Sequence, residues 1–251
     1  MDKLIYTAFN TLNNIYDNRS VRAQNMANIN VPGYRRDLGT KSVGSAFMSA
    51  ENTFQARALA IRDDTNIFES DAGTLSQTGS NLDVAIRGDG YFMVKGAGAP
   101  SLTRRGDLNV NPEGFLINGS SHRFLDKNQQ PIQIGAYRSI KIADNGDIFV
   151  EPLGSEPGTR ELVATLGLTS GAGEQLKKFP DGEIRAENGG LPLADQLPTI
   201  VQKHVELSNV NITEELVNTI EDQRAYEVNI KLITSAAEAD EAGASLMRMP
   251  S

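Results

Sequence analysis

The sequence predicts an α+β protein in which long N- and C-terminal α-helices, coiled-coil-like in their spacing, flank a central all-β domain. Two observations carry this expectation. Apolar residues recur at alternating three- and four-residue steps at both ends of the chain, and between the ends the period shortens to two. A third observation, the clustering of Gly, Pro, Asn and Asp at the breaks, sets the boundaries.

The first helix carries Ile5, Ala8, Leu12, Ile15, Arg19, Arg22, Met26 and Ile29 on one seam. Pro32 and Gly33 end the pattern near residue 30, because proline biases the residue before it away from the helical region and glycine favours a turn. At about 1.5 Å per residue this is a rod of roughly 40 Å. Residues 37–72 show neither period, with Phe47, Phe54 and Phe68 scattered among small and polar residues, and read as an extended connector. From Leu82 onward short apolar runs recur at 82–86, 91–94, 108–110, 115–117, 132–134, 140–142, 148–150 and 162–168. Turn chemistry separates them: Gly88-Asp-Gly90, Pro112-Glu-Gly114, Asp144-Asn-Gly-Asp147 and Pro180-Asp-Gly182, with Asn145-Gly146 the pair that two-residue hairpins prefer. An all-β domain over residues 73–205 follows. The tail, 206–251, returns to helical spacing with Leu216, Ile220, Gln223, Tyr226, Ile230, Ile233, Ala237, Asp240, Ala244 and Met247. Asn211-Ile-Thr-Glu214 has capping-box spacing, and Thr213 is an equally fair cap.

Composition narrows the function classes. The chain has 251 residues, a formal net charge of −8 and no cysteine. Disulfides, thiolate metal sites and cysteine nucleophiles are excluded, and general attraction to nucleic acid or anionic lipid is not indicated. No apolar run reaches the roughly 18 residues a membrane span needs, and the start lacks the pattern of a cleaved secretory signal. Charge is polarised: residues 1–36 sum to +3 and residues 206–251 to −6.

Candidates for catalysis are thin. His122 and His204 stand far apart without zinc-ligand spacing. Ser120-Ser121-His122 reads as a polar surface turn, and Asp83, Asp89, Asp107 and Asp147 sit in turn-rich sequence where Asp stabilises the backbone. Gly88-Asp-Gly90 and Asp144–Asp147 lack the full ligand pattern of a calcium loop. Arg105-Gly-Asp107 matches an adhesion tripeptide by three letters alone. No catalytic residue, cofactor or metal is expected. The helices pose the sharper problem, since an apolar stripe beyond a long connector needs a partner. The two ends can pair within one chain or across chains, and their opposite charges favour mixed pairing.

Three blocks together resemble the flagellar basal-body rod and hook protein family. They are Met1-Asp-Lys-Leu-Ile-Tyr-Thr-Ala with Asn25-Met-Ala-Asn28 and Val31-Pro-Gly-Tyr34; the run from Gly73-Thr-Leu-Ser-Gln-Thr-Gly through Leu82-Asp-Val-Ala-Ile86 to Tyr91-Phe92; and Ser208-Asn-Val-Asn211 with Gln223-Arg-Ala-Tyr-Glu227. Asn30-Val31 and Asp71-Ala72 depart mildly from the family pattern. The opening block is similar to that of the proximal rather than the distal rod members. The resemblance implies a structural, non-enzymatic subunit of the torque-transmitting rod, exported through the flagellar type III apparatus without a cleaved signal and assembled in the periplasm. Implied partners are other rod subunits, further copies of itself and the export apparatus, with no nucleic acid and no direct membrane insertion. The expected interface comprises Ile5, Leu12, Ile15, Arg19, Arg22, Asn25, Met26, Asn28 and Ile29, the turn Pro32-Gly33-Tyr34, and Leu216, Ile220, Gln223, Tyr226, Glu227, Ile230 and Ile233. Arg35 and Arg36 are expected to meet acidic tail helices. The alternative from another class is a secreted β-domain hydrolase with helical oligomerisation arms.

Overall fold

The structure, a computed structural model, describes residues 2–39, 42–49, 56–62, 67–179 and 181–247. Two helices, α1 (Asp2–Ala27) and α2 (Ile212–Met247), bracket the strands. The strands are β1 (Ser42–Ser49), β2 (Ala56–Arg62), β3 (Leu75–Gln77), β4 (Val84–Arg87), β5 (Tyr91–Lys95) and β6 (Pro100–Thr103). They continue with β7 (Leu108–Val110), β8 (Leu116–Asn118), β9 (Arg123–Phe124), β10 (Tyr137–Ile142), β11 (Asp147–Pro152) and β12 (Glu161–Thr165). The last are β13 (Leu168–Thr169), β14 (Leu176–Lys178), β15 (Ile184–Ala186), β16 (Thr199–Gln202) and β17 (His204–Glu206). The chain forms two compact units. One comprises residues 1–27, 37–67 and 211–251; the other comprises 28–36 and 68–210.

In the helical unit α1 packs on α2 and also runs against β1 and β2. Those two strands form an antiparallel hairpin inside the segment read as an extended connector, pairing Ser49 with Ala56 and Ser45 with Ala60. Phe54 lies outside the described residues.

The β unit is built on an eight-stranded sheet in the order β14-β15-β6-β5-β9-β8-β7, with β13 added on β5, and on a three-stranded sheet β10-β11-β12. Two strand pairs, β16 with β4 and β17 with β3, complete it. β5 lies between other strands and reads as a continuous apolar run, with Tyr91 to Val94 all buried, as a strand covered on both faces requires. β10 alternates instead, placing Ile140 and Ile142 inside and Lys141 outside. One core joins Val84, Phe92, Phe124, Ile132, Ile148, Leu166 and Ile200 across the sheets, and Phe92 and Phe124 meet edge to face at 5.7 Å.

The helices are not the coiled coil expected. The fold is α+β, but the contacts between α1 and α2 run through Asn25, Arg22, Glu215 and Asp222, and Leu216, Ile220, Tyr226 and Ile230 of α2 stay exposed. Strands are also not confined to the middle of the chain, since β1 and β2 share the helical unit. The run 162–168 divides at Gly167, where the chain passes from β11's neighbour β12 to β5's neighbour β13. Residues 132–134 form isolated bridges in place of a regular strand: Ile132 N–H donates to the Phe124 carbonyl, Leu116 N–H to the Ile132 carbonyl and Ile134 N–H to the Gly114 carbonyl. The β10–β11 turn closes through Gly146 N–H on the Ala143 carbonyl, with Gly146 at φ +90°.

Candidate assembly site

The α1–α2 contact is held by a polar lock. Asn25, buried, donates to Glu215 at 3.1 Å and to the Asp37 carbonyl at 2.9 Å, and accepts from the Asp37 N–H at 2.9 Å. Arg22 pairs with Asp222 at 2.6 Å and Glu215 at 3.7 Å. Later residues of α1 thus meet earlier residues of α2, so the helices are antiparallel. Buried Glu215 is compensated by Arg22 and Asn25, and partly buried charges of this kind specify register more than they add stability. Ala8, Ile15 and Ala236 are the buried apolar residues of the two helices.

The covered face of α2 runs through Glu215, Thr219, Asp222, Ala225, Asn229 and Ala236. It lies one residue before the apolar seam read from the sequence, a rotation of about 100°. Consequently Leu216, Ile220, Tyr226 and Ile230 keep 40–54 % of their surface exposed. Gln223 and Glu227 are exposed as well, Gln223 donating to Glu227 at 3.2 Å, and Ile233 is half-buried. On α1, Ile15 is buried, Ile5, Leu12, Arg22 and Met26 are half-buried, and Arg19 is exposed. A second α1 face escaped sequence reading: Tyr6, Phe9 and Tyr16 share one helical stripe and are exposed, Tyr16 by 74 %. Asn211, one of two candidate caps, accepts from the N–H groups of Thr213 and Glu214 at 3.0 and 3.4 Å.

The turn after α1 belongs to the β unit. Asn28, Ile29, Pro32 and Tyr34 are half-buried there and Gly33 is buried. Gly33 adopts φ +66°, and a Cβ on it would lie 2.3 Å from the Arg104 carbonyl carbon, so a side chain is excluded twice over. Its N–H donates to the Glu206 carbonyl at 2.7 Å. The fully buried Glu206 carboxylate pairs with Arg35 at 2.7 Å and Arg104 at 2.8 Å, and accepts from the Gly73 N–H at 2.8 Å. Arg104 also donates to the Gly88 and Gly90 carbonyls. Asn209 does similar work three residues on. It accepts from the Arg36 N–H at 2.7 Å and donates to the Glu69 and Asp71 carbonyls. Glu206 and Asn209 thus clasp residues 33–36, 69–73 and 104 into one joint. Arg35 pairs with Glu206 of β17, and Arg36 with Glu69 at 3.5 Å. Burial pushes the Tyr91 hydroxyl up from its ordinary pKa, the nearby arginines opposing, and pushes Arg104 down, Glu206 opposing.

The Ser120 hydroxyl accepts from Arg105 at 2.9 Å, and the Glu183 carboxylate sits between the Ser101 hydroxyl and His122. Among the described residues no group of three or more His, Asp or Glu is placed to hold a metal ion, and no helix is long and apolar enough to cross a membrane.

The paired helices thus leave an apolar stripe of α2 exposed, and the turn after α1 is held within the β unit by Glu206 and Asn209. The family model for the C-terminal part of the flagellar basal-body rod proteins FlgE, FlgF and FlgG matches residues 201–246, and that for the D1 domain of the flagellar hook protein FlgE/F/G matches 85–150. The flagellar basal-body rod protein FlgF of Salmonella typhimurium is 30% identical, covering 99% of this chain and 100% of its own. FlgG of Buchnera aphidicola subsp. Baizongia pistaciae is 34% identical over 87% of this chain and 90% of its own, and FlgF of Escherichia coli is 29% identical over 94% of each. The chain belongs to the flagellar basal-body rod protein family, whose members are structural subunits of that rod. Within the family it is FlgF-like, and its place is the flagellar basal body among other axial proteins.

Proposed function

We propose that the protein builds the proximal part of the rod by head-to-tail contacts that do not close, which generate a helical filament able to carry torque. The observation that carries this reading is the uncovered stripe Leu216, Ile220, Tyr226 and Ile230 on α2. Burying the exposed half of such a side chain is worth about 1 kcal/mol each. A contact repeated along a filament multiplies that gain. Gln223 and Glu227 would set register within the stripe, and Tyr6, Phe9 and Tyr16 supply an apolar face on α1 for a neighbouring subunit. Residues Ile5, Leu12, Ile15, Arg22, Asn25 and Met26 would serve by holding α1 in the helical unit, and exposed Arg19 would meet a neighbouring subunit. The turn Asn28–Tyr34 would fix the direction in which the chain leaves the helix. Export through the flagellar type III apparatus without a cleaved signal, and assembly in the periplasm, complete the reading.

Ile220→Asp tests it, because the residue is exposed in the folded chain and the change spares the polar lock. Helix content and thermal melting are expected to match the parent, while sedimentation shows loss of polymer and motility is lost in a host that lacks its own FlgF. Retained assembly in this variant would remove α2's apolar stripe from the interface. FlgG of Buchnera, at 34% identity, favours a second reading as the distal rod subunit. Restored motility in a FlgG-lacking host, and none in a FlgF-lacking one, would select it.

A further inference from the structure

Between β15 and β16 the β unit carries a loop, residues 187–198, that presents two leucines to solvent. Leu193 keeps 84 % of its surface exposed, the most of any large apolar side chain among the described residues, and Leu197 keeps 72 %. The loop is nevertheless anchored. Leu191 and Ala194 pack on the cluster of Tyr91, Met93 and Ile184, and Pro192 and Pro198 are buried. The Asp195 carboxylate accepts from the N–H groups of Ser170 and Leu197, each at 3.1 Å, and from the Ser170 hydroxyl. Gln196 adopts φ +53°, uncommon for a residue with a side chain, and its carboxamide is buried with no hydrogen-bond partner. A strained backbone and an unsatisfied amide are thus kept beside the two outward leucines, and such outliers cluster at functional sites. Asp195 stands midway between those leucines, exposed, and among the described residues no cation pairs with it.

A matching set lies on α1. Phe9 and Tyr16 are exposed on one side of the helix, and Arg19 follows Tyr16 by one turn, exposed and, among the described residues, without a carboxylate partner. Phe9 and Tyr16 are about 10.5 Å apart along the helix axis, and leucines four residues apart reach at most about 14 Å. One pair can therefore cover the other.

We propose that the 187–198 loop of one copy docks on the Phe9, Tyr16 and Arg19 face of α1 in a second copy, an inference that rests on the polymerising reading above and names one of its contacts. Leu193 and Leu197 cover the two aromatic rings, and Arg19 answers Asp195. Charge selects α1 over the other open helix face. The α2 stripe carries Glu227 and belongs to a segment that sums to −6, which repels Asp195, whereas residues 1–36 sum to +3. An exposed ion pair of this kind sets orientation more than affinity. Loop and helix face are different surfaces, so the contact is heterologous and leaves one of each free at the two ends of a stack, as an open filament requires.

The chain has no cysteine, so introduced cysteines report contacts without background. Full-length Leu193→Cys protein is mixed with Phe9→Cys, Tyr16→Cys or Ile220→Cys protein of different mass and oxidised at assembly concentration, so that only contacts between copies are scored. All four positions are exposed, and thermal melting is expected to match the parent. A disulfide from Leu193→Cys to one of the two α1 positions is expected at least tenfold above that to Ile220→Cys, and it should fall at least threefold when Arg19→Glu is added to the α1 partner. Leu197→Cys repeats the measurement from the second leucine. Equal or greater crosslinking to Ile220→Cys, a main product joining two Leu193→Cys chains, or indifference to Arg19→Glu would overturn the proposal. Polymer is scored by sedimentation in the same samples: polymer without the α1 disulfide sinks the loop contact and spares the rod reading, while the disulfide in dimers without polymer does the reverse.

Discussion

Glu206→Gln is the sharpest perturbation of the joint. Glutamine keeps the size of the side chain and an oxygen for the Gly73 N–H, but removes the charge that faces Arg35 at 2.7 Å and Arg104 at 2.8 Å. Both guanidinium groups are 2 % exposed, so water cannot replace the lost partner. Leaving a buried charge uncompensated in this way costs about 3–5 kcal/mol, against the roughly 5–15 kcal/mol that holds a domain together. With a urea dependence of about 1–3 kcal/mol per molar, the unfolding midpoint should fall by at least about 1 M. The chain has no tryptophan, so tyrosine signals report, and two are well placed: Tyr91 lies under Arg104 and Tyr34 under Lys178. Arg104→Met in the Glu206→Gln background should cost less than it does alone, since the orphaned charge leaves with it. A single-variant midpoint within about 0.3 M of the parent would show that solvent reaches these groups, and the clasp would lose its structural role.

Two further outcomes follow from particular residues. Gly33→Ala should destabilise the turn by about 1 kcal/mol from backbone strain at φ +66° alone, with more from the close approach to Arg104, and loss of amide protection at Gly33 and Asn209 would register it. The Glu151 carboxyl is held below its ordinary pKa of 4.5 by the Gly158 N–H first, then by Ser139 and Arg138. Because the folded value is the lower one, this contribution is complete above pH 4.5 and is lost as pH falls through the folded value; Glu151→Gln should flatten acid unfolding of the β10-β11-β12 sheet, and an unchanged acid limb would contradict the assignment.

Much of the fold was legible from local chemistry. Period-two runs such as 140–142 and 148–150 became strands because a half-buried sheet enforces alternation, and Asn211 capped α2 because its side chain reaches N–H groups two and three residues on. The hairpin at 42–62 escaped because its small-residue strands carry little periodic signal. The motif blocks at residues 25–34, 73–92 and 223–227 were enough to name the family, since those letters reflect backbone needs and assembly chemistry that travel with the sequence.

Periodicity says that α2 has a face to bury, but not in which molecule. The tertiary structure decided that α1 covers the neighbouring face through Asn25, Arg22, Glu215 and Asp222, leaving Leu216, Ile220, Tyr226 and Ile230 outward. It likewise decided that Arg35 answers Glu206 in a strand. Such pairings depend on long-range approach, and a charged residue carries no mark in the sequence of which distant opposite charge the fold will bring beside it. What the sequence determined by itself was the family and the local elements; the faces left open for partners were settled only when those elements packed.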